Sequence, residues 1–235
     1  MAFSLRFLTL LVSAIAVAAP ASAFPTEEPS RTIRRHERQG QSESGLFERR
    51  ASLSSYTLPT HGGGTELPAP TPGLTLKAVT LGRGTQNYTC ANGVAAPTQV
   101  GALATLYDLS MVPEWLFNTL TNLAVNVPLA DMAPLSLDAI GHHYFDSTGA
   151  PNFDLGSIGH LIAAKQADIP APAGAAAGPS GSGAVDWLEL GDKGTSTGLK
   201  EVYRVETAGG KAPTSCTGQP TDIYVQYAAQ YFFYG

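Results

Sequence analysis

The sequence is poor in cysteine, in clustered positive charge and in long apolar runs, and each shortage narrows what the protein can be. Two cysteines occur in 235 residues, Cys90 and Cys216, without C-x-x-C spacing. The absence of that spacing argues against a cysteine-based zinc site, so in an exported chain the pair reads most simply as one disulfide, with two buried thiols or a metal pair as the alternatives. Seven of the 14 basic and five of the 19 acidic residues precede Ala51, leaving seven basic against 14 acidic after it. The later basic residues are also scattered, which disfavours nucleic acid and anionic membrane surfaces as partners, since both require a clustered basic face. After the first two dozen residues no run approaches the roughly 20 apolar residues of a membrane-spanning helix, and YAAQYFFYG at the C-terminus lacks the spacer and apolar tail of a lipid-anchor signal.

What is present begins with an address. MAFSLRFLTLLVSAIAVAAPASAFP places Arg6 before an apolar core at residues 7–19 and closes on Ala21, Ser22 and Ala23. This is the layout of a secretory signal peptide over residues 1–23, and the expected location is extracellular or in the cell wall. Residues 24–50 turn to Arg, Glu, Gln and Ser, with too little apolar surface to offset the entropy of ordering. They read as a disordered segment, either a propeptide cut after Arg49-Arg50 or an uncut charged tail. Residues 51–66 read as an irregular lead-in, and residues 67–235 are enough for one domain with its own core.

Within that domain, TLKAV and TQNYTC have strand character, and residues 102–112 suit either a strand or a helical turn. Leu116, Leu120 and Leu123 recur at helical spacing behind Pro113, predicting a helix over 113–125. Residues 136–145, VDWLEL, LKEVYRVET and IYVQYAAQYFFY read as strands. Residues 146–156 are turn-rich, and 167–184 form a Pro, Gly, Ala and Ser loop. Short strands separated by turn clusters predict a mainly β fold, an antiparallel β-sandwich or barrel with one or two short helices.

Several motifs carry possible chemistry. Gly82 and Gly84 sit in LGRGTQNYTC, but a dinucleotide loop needs a third glycine and a helix where this chain has Asn87 in strand-forming sequence. Read as a strand, Gln86, Tyr88 and Cys90 share one face and face the core. Thr85, Asn87 and Thr89 share the other, presenting Asn87-Tyr88-Thr89, the one N-x-S/T acceptor in the chain, to solvent for glycosylation. The G-x-S-x-G at Ser196 lies between two expected strands with every histidine upstream, so it reads as a hairpin loop and not a nucleophile elbow. His143 with Asp146 or Asp154 is a candidate general-base pair, against the plainer reading of one packed and one solvated histidine at His142-His143. Asp186 and Glu189 flank Trp187 but face opposite sides of a strand, which leaves paired glycosidase carboxylates unmade. Tyr88, Trp187, Tyr227, Tyr231 and Tyr234 are candidates for an aromatic binding groove, because each joins a large apolar face to a polar tip.

TQNYTC, GHHYFDSTGAPNFDL, AVDWLEL, VYRVETAGGKAPTSC and YAAQYFFY, in this order over residues 67–234, resemble a family of secreted proteins of unknown function found in fungi and bacteria. Its fungal members are frequently labelled malate dehydrogenase and include appressorium-expressed proteins. The family's Q-x-Y-x-C falls on Gln86, Tyr88 and Cys90, its His-Tyr on His143 and Tyr144, and its Trp-Leu on Trp187 and Leu188. Its Arg, Gly-Gly and Cys fall on Arg204, Gly209, Gly210 and Cys216. Where many members have a tryptophan after the histidine motif, this chain has Phe153. The resemblance implies export and a β-rich fold and supplies no catalytic residues. The dehydrogenase label does not suit the residues: the domain has only Arg83 and Arg204 as arginines and no dinucleotide pattern. No cofactor or metal is implied. The expected role is an extracellular binding module of unknown biochemical activity, with cell-wall polysaccharide or another extracellular ligand as partner. The alternative is a secreted hydrolase or lyase built on His143.

Overall fold

The computed structural model describes residues 53–91, 95–129, 132 and 135–235. The signal-peptide and propeptide readings of residues 1–50 lie outside the described residues. Eight strands follow in chain order: β1 Leu76–Thr89, β2 Thr98–Asp108, β3 Ala139–Phe145, β4 Pro151–Asp154, β5 His160–Ile169, β6 Trp187–Asp192, β7 Glu201–Gly209 and β8 Asp222–Tyr234. Each pairs antiparallel with the next, and β8 returns to pair antiparallel with β1, so the sheet closes on itself as a barrel. Closure satisfies the backbone groups that an open sheet would leave at its edges.

Side-chain alternation sorts the two faces of the wall. Along β8, Tyr227, Ala229, Tyr231 and Phe233 belong to an interior cluster with Leu106, Phe153, Leu161 and Leu190. Ala228, Phe232 and Tyr234 belong to a second cluster on the outer face with Val79, Leu81, Tyr203 and Val205. That outer face stays dry because the helix α1 (Phe117–Ala124), entered through a 3-10 turn at Glu114–Leu116, and the lead-in residues Leu53, Tyr56 and Leu58 pack on it. With both faces covered, β7 and the second half of β8 are buried almost without interruption.

The helix predicted over 113–125 forms as these two pieces, with Pro113 just ahead of the first. Of residues 102–112, those up to Asp108 form strand as part of β2, and the rest turn away from it. β4 opens on Pro151, which a ladder tolerates at a strand's first position. β5 carries Ala163, Ala164, Lys165 and Gln166, residues of weak strand preference. Neighbouring strands on both sides hold it extended all the same.

Gly82 and Gly84 lie in mid-strand β1, where a side chain has no room. A Cβ on Gly82 would come within 2.4 Å of the Tyr231 ring, and one on Gly84 within 1.9 Å of the Leu103 carbonyl oxygen. The glycines are there for close packing of the wall. Cys90, just past the end of β1, and Cys216, in the β7–β8 connection, form the disulfide.

A candidate ligand cavity in the mouth of the barrel

The inward positions nearest the β1 C-terminal end surround a cavity of about 590 Å³, of the size that takes a small organic ligand. Its apolar wall includes Tyr88, Phe145, Phe153, Leu188, Leu190 and Tyr231. Below it the interior cluster fills the barrel. A larger cleft of about 810 Å³ at the Leu76 end of β1 has no aromatic wall, and its cation, Lys77, is exposed. The smaller cavity is therefore the candidate site.

Its polar groups divide between exposed ones at the rim, Gln99, Lys165, Asp168 and Lys211, and buried ones deeper in. Arg204 on β7 is 8 % exposed. Its Nε and Nη2 donate to the Asp186 carbonyl at 3.2 and 2.9 Å. The guanidinium also lies against the Tyr231 hydroxyl, which is 3.0 Å from that of Tyr227. Burial pushes both phenols above their ordinary range. Gln86 on β1, 1 % exposed, accepts from Gln99 Nε2 at 2.8 Å through Oε1. Its own Nε2 lies near enough to Tyr227 to favour that phenol's ionisation, yet outside hydrogen-bond geometry and without a partner. Tyr88 donates to the Gly210 carbonyl at 2.7 Å.

His143 is 4 % exposed and stacks face to face on Phe153, 4.2 Å between centroids. Nδ1 is 2.9 Å from the Asn152 carbonyl and must donate to it, so the imidazole keeps its proton there and offers Nε2 as an acceptor. Burial lowers its pKa to about 4, so the ring is neutral at ordinary pH.

The candidate carboxylates do not bond to this ring. Asp146 Oδ1 accepts from Thr148 and Ala150, and Oδ2 accepts from Asn152 Nδ2 at 3.0 Å. These bonds close the β3–β4 turn and hold the Asp146 carboxyl well below the usual range. Asp154 accepts from the Gly156 N–H. Asn152 links the elements: it receives His143, donates to Asp146 and accepts from His160 Nε2 at 3.0 Å.

Of the expected aromatic groove, Tyr88 and Tyr231 line the cavity, and Tyr227 lies beneath as the hydrogen-bond partner of Tyr231. Trp187 and Tyr234 fall on the opposite face of the wall, in the outer cluster, Trp187 against the edge of the His61 ring. Asn87 faces outward and is half-buried, while Gln86, Tyr88 and Cys90 are buried, as the alternation of TQNYTC predicts. Ser196 sits in the β6–β7 hairpin, its hydroxyl engaged with the backbone of Ile162. Among the described residues no group of three or more His, Cys, Asp or Glu is placed to hold a metal.

Sequence reasoning did not single out Arg204 or Gln86 as site residues. The signal was available: both share the parity of inward apolar neighbours, Val202 on β7 and Tyr88 on β1, and a long polar side chain at a barrel-interior position needs a reason to be there.

Fold and site together define a closed, eight-stranded antiparallel barrel with an aromatic-walled, cation-bearing cavity in one mouth. The chain belongs to the family described as protein of unknown function (DUF3455), whose profile matches residues 70–235. Comparison with curated proteins found no match, and comparison with solved structures found none.

Proposed function

We propose that the protein is a secreted binding module that takes its ligand end-on into the barrel mouth. The observation that carries this is the cavity itself: about 590 Å³ of space between aromatic walls, above a filled interior and ringed by oriented polar groups. Its depth favours a small molecule or the terminal unit of a carbohydrate over a polymer lying along the surface. The signal-like N-terminus, the Cys90–Cys216 disulfide and the outward Asn87 acceptor support export. The hydrolase or lyase reading has less support, because neither Asp146 nor Asp154 bonds to the His143 ring: Asn152 stands between His143 and Asp146, and Asp154 accepts from the Gly156 N–H.

The test is a thermal-shift screen of the purified protein against oligosaccharides and small organic molecules, repeated with Leu188→Trp, which narrows the mouth. A ligand that stabilises the native protein but not this variant supports the reading. Stabilisation that survives the blocked mouth places the ligand elsewhere. Intact mass before and after glycan removal from secreted material reads Asn87 occupancy, and N-terminal sequencing reads processing near Phe24 or Ala51.

A further inference from the structure

The cavity's charges are unequal and its deepest cation lacks an anion. Lys165, Arg204 and Lys211 line it against Asp168 and Asp186, three positive side chains to two negative. Lys165 and Asp168 neutralise each other at 2.8 Å. Arg204 has no carboxylate at ion-pair distance among the described residues, since Asp186 reaches it through its backbone carbonyl. A nearly buried guanidinium with only neutral partners is costly, and a bound anion relieves that cost. Close by, Gln86 Nε2 is a buried donor without an acceptor, on a side chain 1 % exposed. Unmade bonds of this kind are strongly discriminating, because each ligand that fails to fill them leaves the penalty in place.

We propose that the cavity binds an organic monocarboxylate with an apolar body, its carboxylate between Arg204 and Gln86 and its body against Tyr88, Phe145 and Phe153. This rests on the binding reading above and adds the ligand's chemical class. A planar carboxylate matches the fork of a guanidinium. One negative charge matches the lining's net charge of one positive, and an inorganic anion leaves the aromatic wall unused.

The test is calorimetric titration of the full chain with benzoate and hexanoate, with their isosteric amides benzamide and hexanamide, and with sulfate. The acids are expected to bind at least roughly tenfold more tightly than the amides, the scale of a buried charge-assisted hydrogen bond. Arg204→Met is expected to bring the acids down to the level of the amides, and Arg204→Lys to fall between. Gln86→Leu is expected to weaken the acids while leaving the unliganded melting temperature near wild type or above it. The comparison of acid with amide uses the unaltered protein, so it stands even if a variant fails to fold. Amides binding as well as acids, with both lost in Leu188→Trp, would overturn the carboxylate assignment and leave the barrel-mouth site standing. Sulfate binding as tightly as the acids would overturn the apolar body. No binding by any acid or amide overturns the proposal, and a blank small-molecule and oligosaccharide screen overturns the binding reading with it.

Discussion

Arg83 and Arg204 are the two arginines after Ala51, and strand parity gives them opposite work. Arg83 points outward from β1 beneath α1, where it is 1 % exposed. It donates to the carbonyls of Ala124 at 2.6 Å, Val127 at 2.8 Å and Gly84 at 2.9 Å, and to the Gln226 side chain. The helix C-terminus thereby gains both partners for its free carbonyls and a positive charge at its negative end. Arg83→Met strands these acceptors in a dry site and is expected to cost about 3 kcal/mol, read as a lower urea midpoint. An unchanged midpoint would mean that water replaces the guanidinium. His143 supplies a pH signature. Its ordinary pKa of 6.5 falls to about 4 in the folded protein through burial. Above pH 6.5 both states are neutral and the ring has no effect. Between pH 6.5 and 4 the unfolded chain takes up a proton that the native state refuses, so stability declines with falling pH by up to about 1.4 kcal/mol per unit. His143→Gln is expected to flatten urea midpoints across that window relative to wild type, and parallel curves would show that the native ring protonates freely.

The elements were legible where one pattern dominated. TQNYTC announces its faces by strict alternation, and both the buried and the outward sets are where that alternation puts them. β7 and β8 announce themselves by β-branched and aromatic density. β4 and β5 were not legible, because Pro151, Asn152 and the run Ala163 to Gln166 have little strand preference of their own and owe their conformation to flanking strands. The cavity was half legible for the same reason. Tyr88 and Tyr231 stand out by composition, whereas Arg204 and Gln86 become site residues only once closure fixes which parity is inside. The helix, by contrast, came from spacing, and its packing is testable. Phe117 is 2 % exposed, lies in the outer cluster and meets Tyr56 at 5.3 Å between ring centroids. Phe117→Ala is expected to cost about 4 kcal/mol in denaturant unfolding. A loss below about 1 kcal/mol would show that α1 is not integral to the wall it covers.

At the scale of the molecule, the disulfide fixes the rim of the cavity. Cys90 and Cys216 pack with Tyr88, Ile223 and Val225, and Ala212 joins them while also lining the opening. The bond spans 126 residues of sequence, and in the chain-entropy account cross-linking so long a loop stabilises the fold by about 4 to 5 kcal/mol. The double variant Cys90→Ser with Cys216→Ser is expected to lose stability on that scale, and reductant is expected to lower the wild-type midpoint equally. Wild type and variant with the same midpoint would show that the barrel holds its rim without the bond.

The seam between β1 and β8 sets a timetable. Thr89 meets Asp222 and Leu76 meets Tyr234 across it, so the first strand waits for the last before the wall can close. Pairings this distant along a chain slow folding to milliseconds or longer. Arg204, Gln86 and Tyr231 do not share an enclosed space until that seam has zipped. In a refolding experiment, the gain of ligand binding is therefore expected to trail the gain of strand signal, making pocket formation the closing event of the folding reaction.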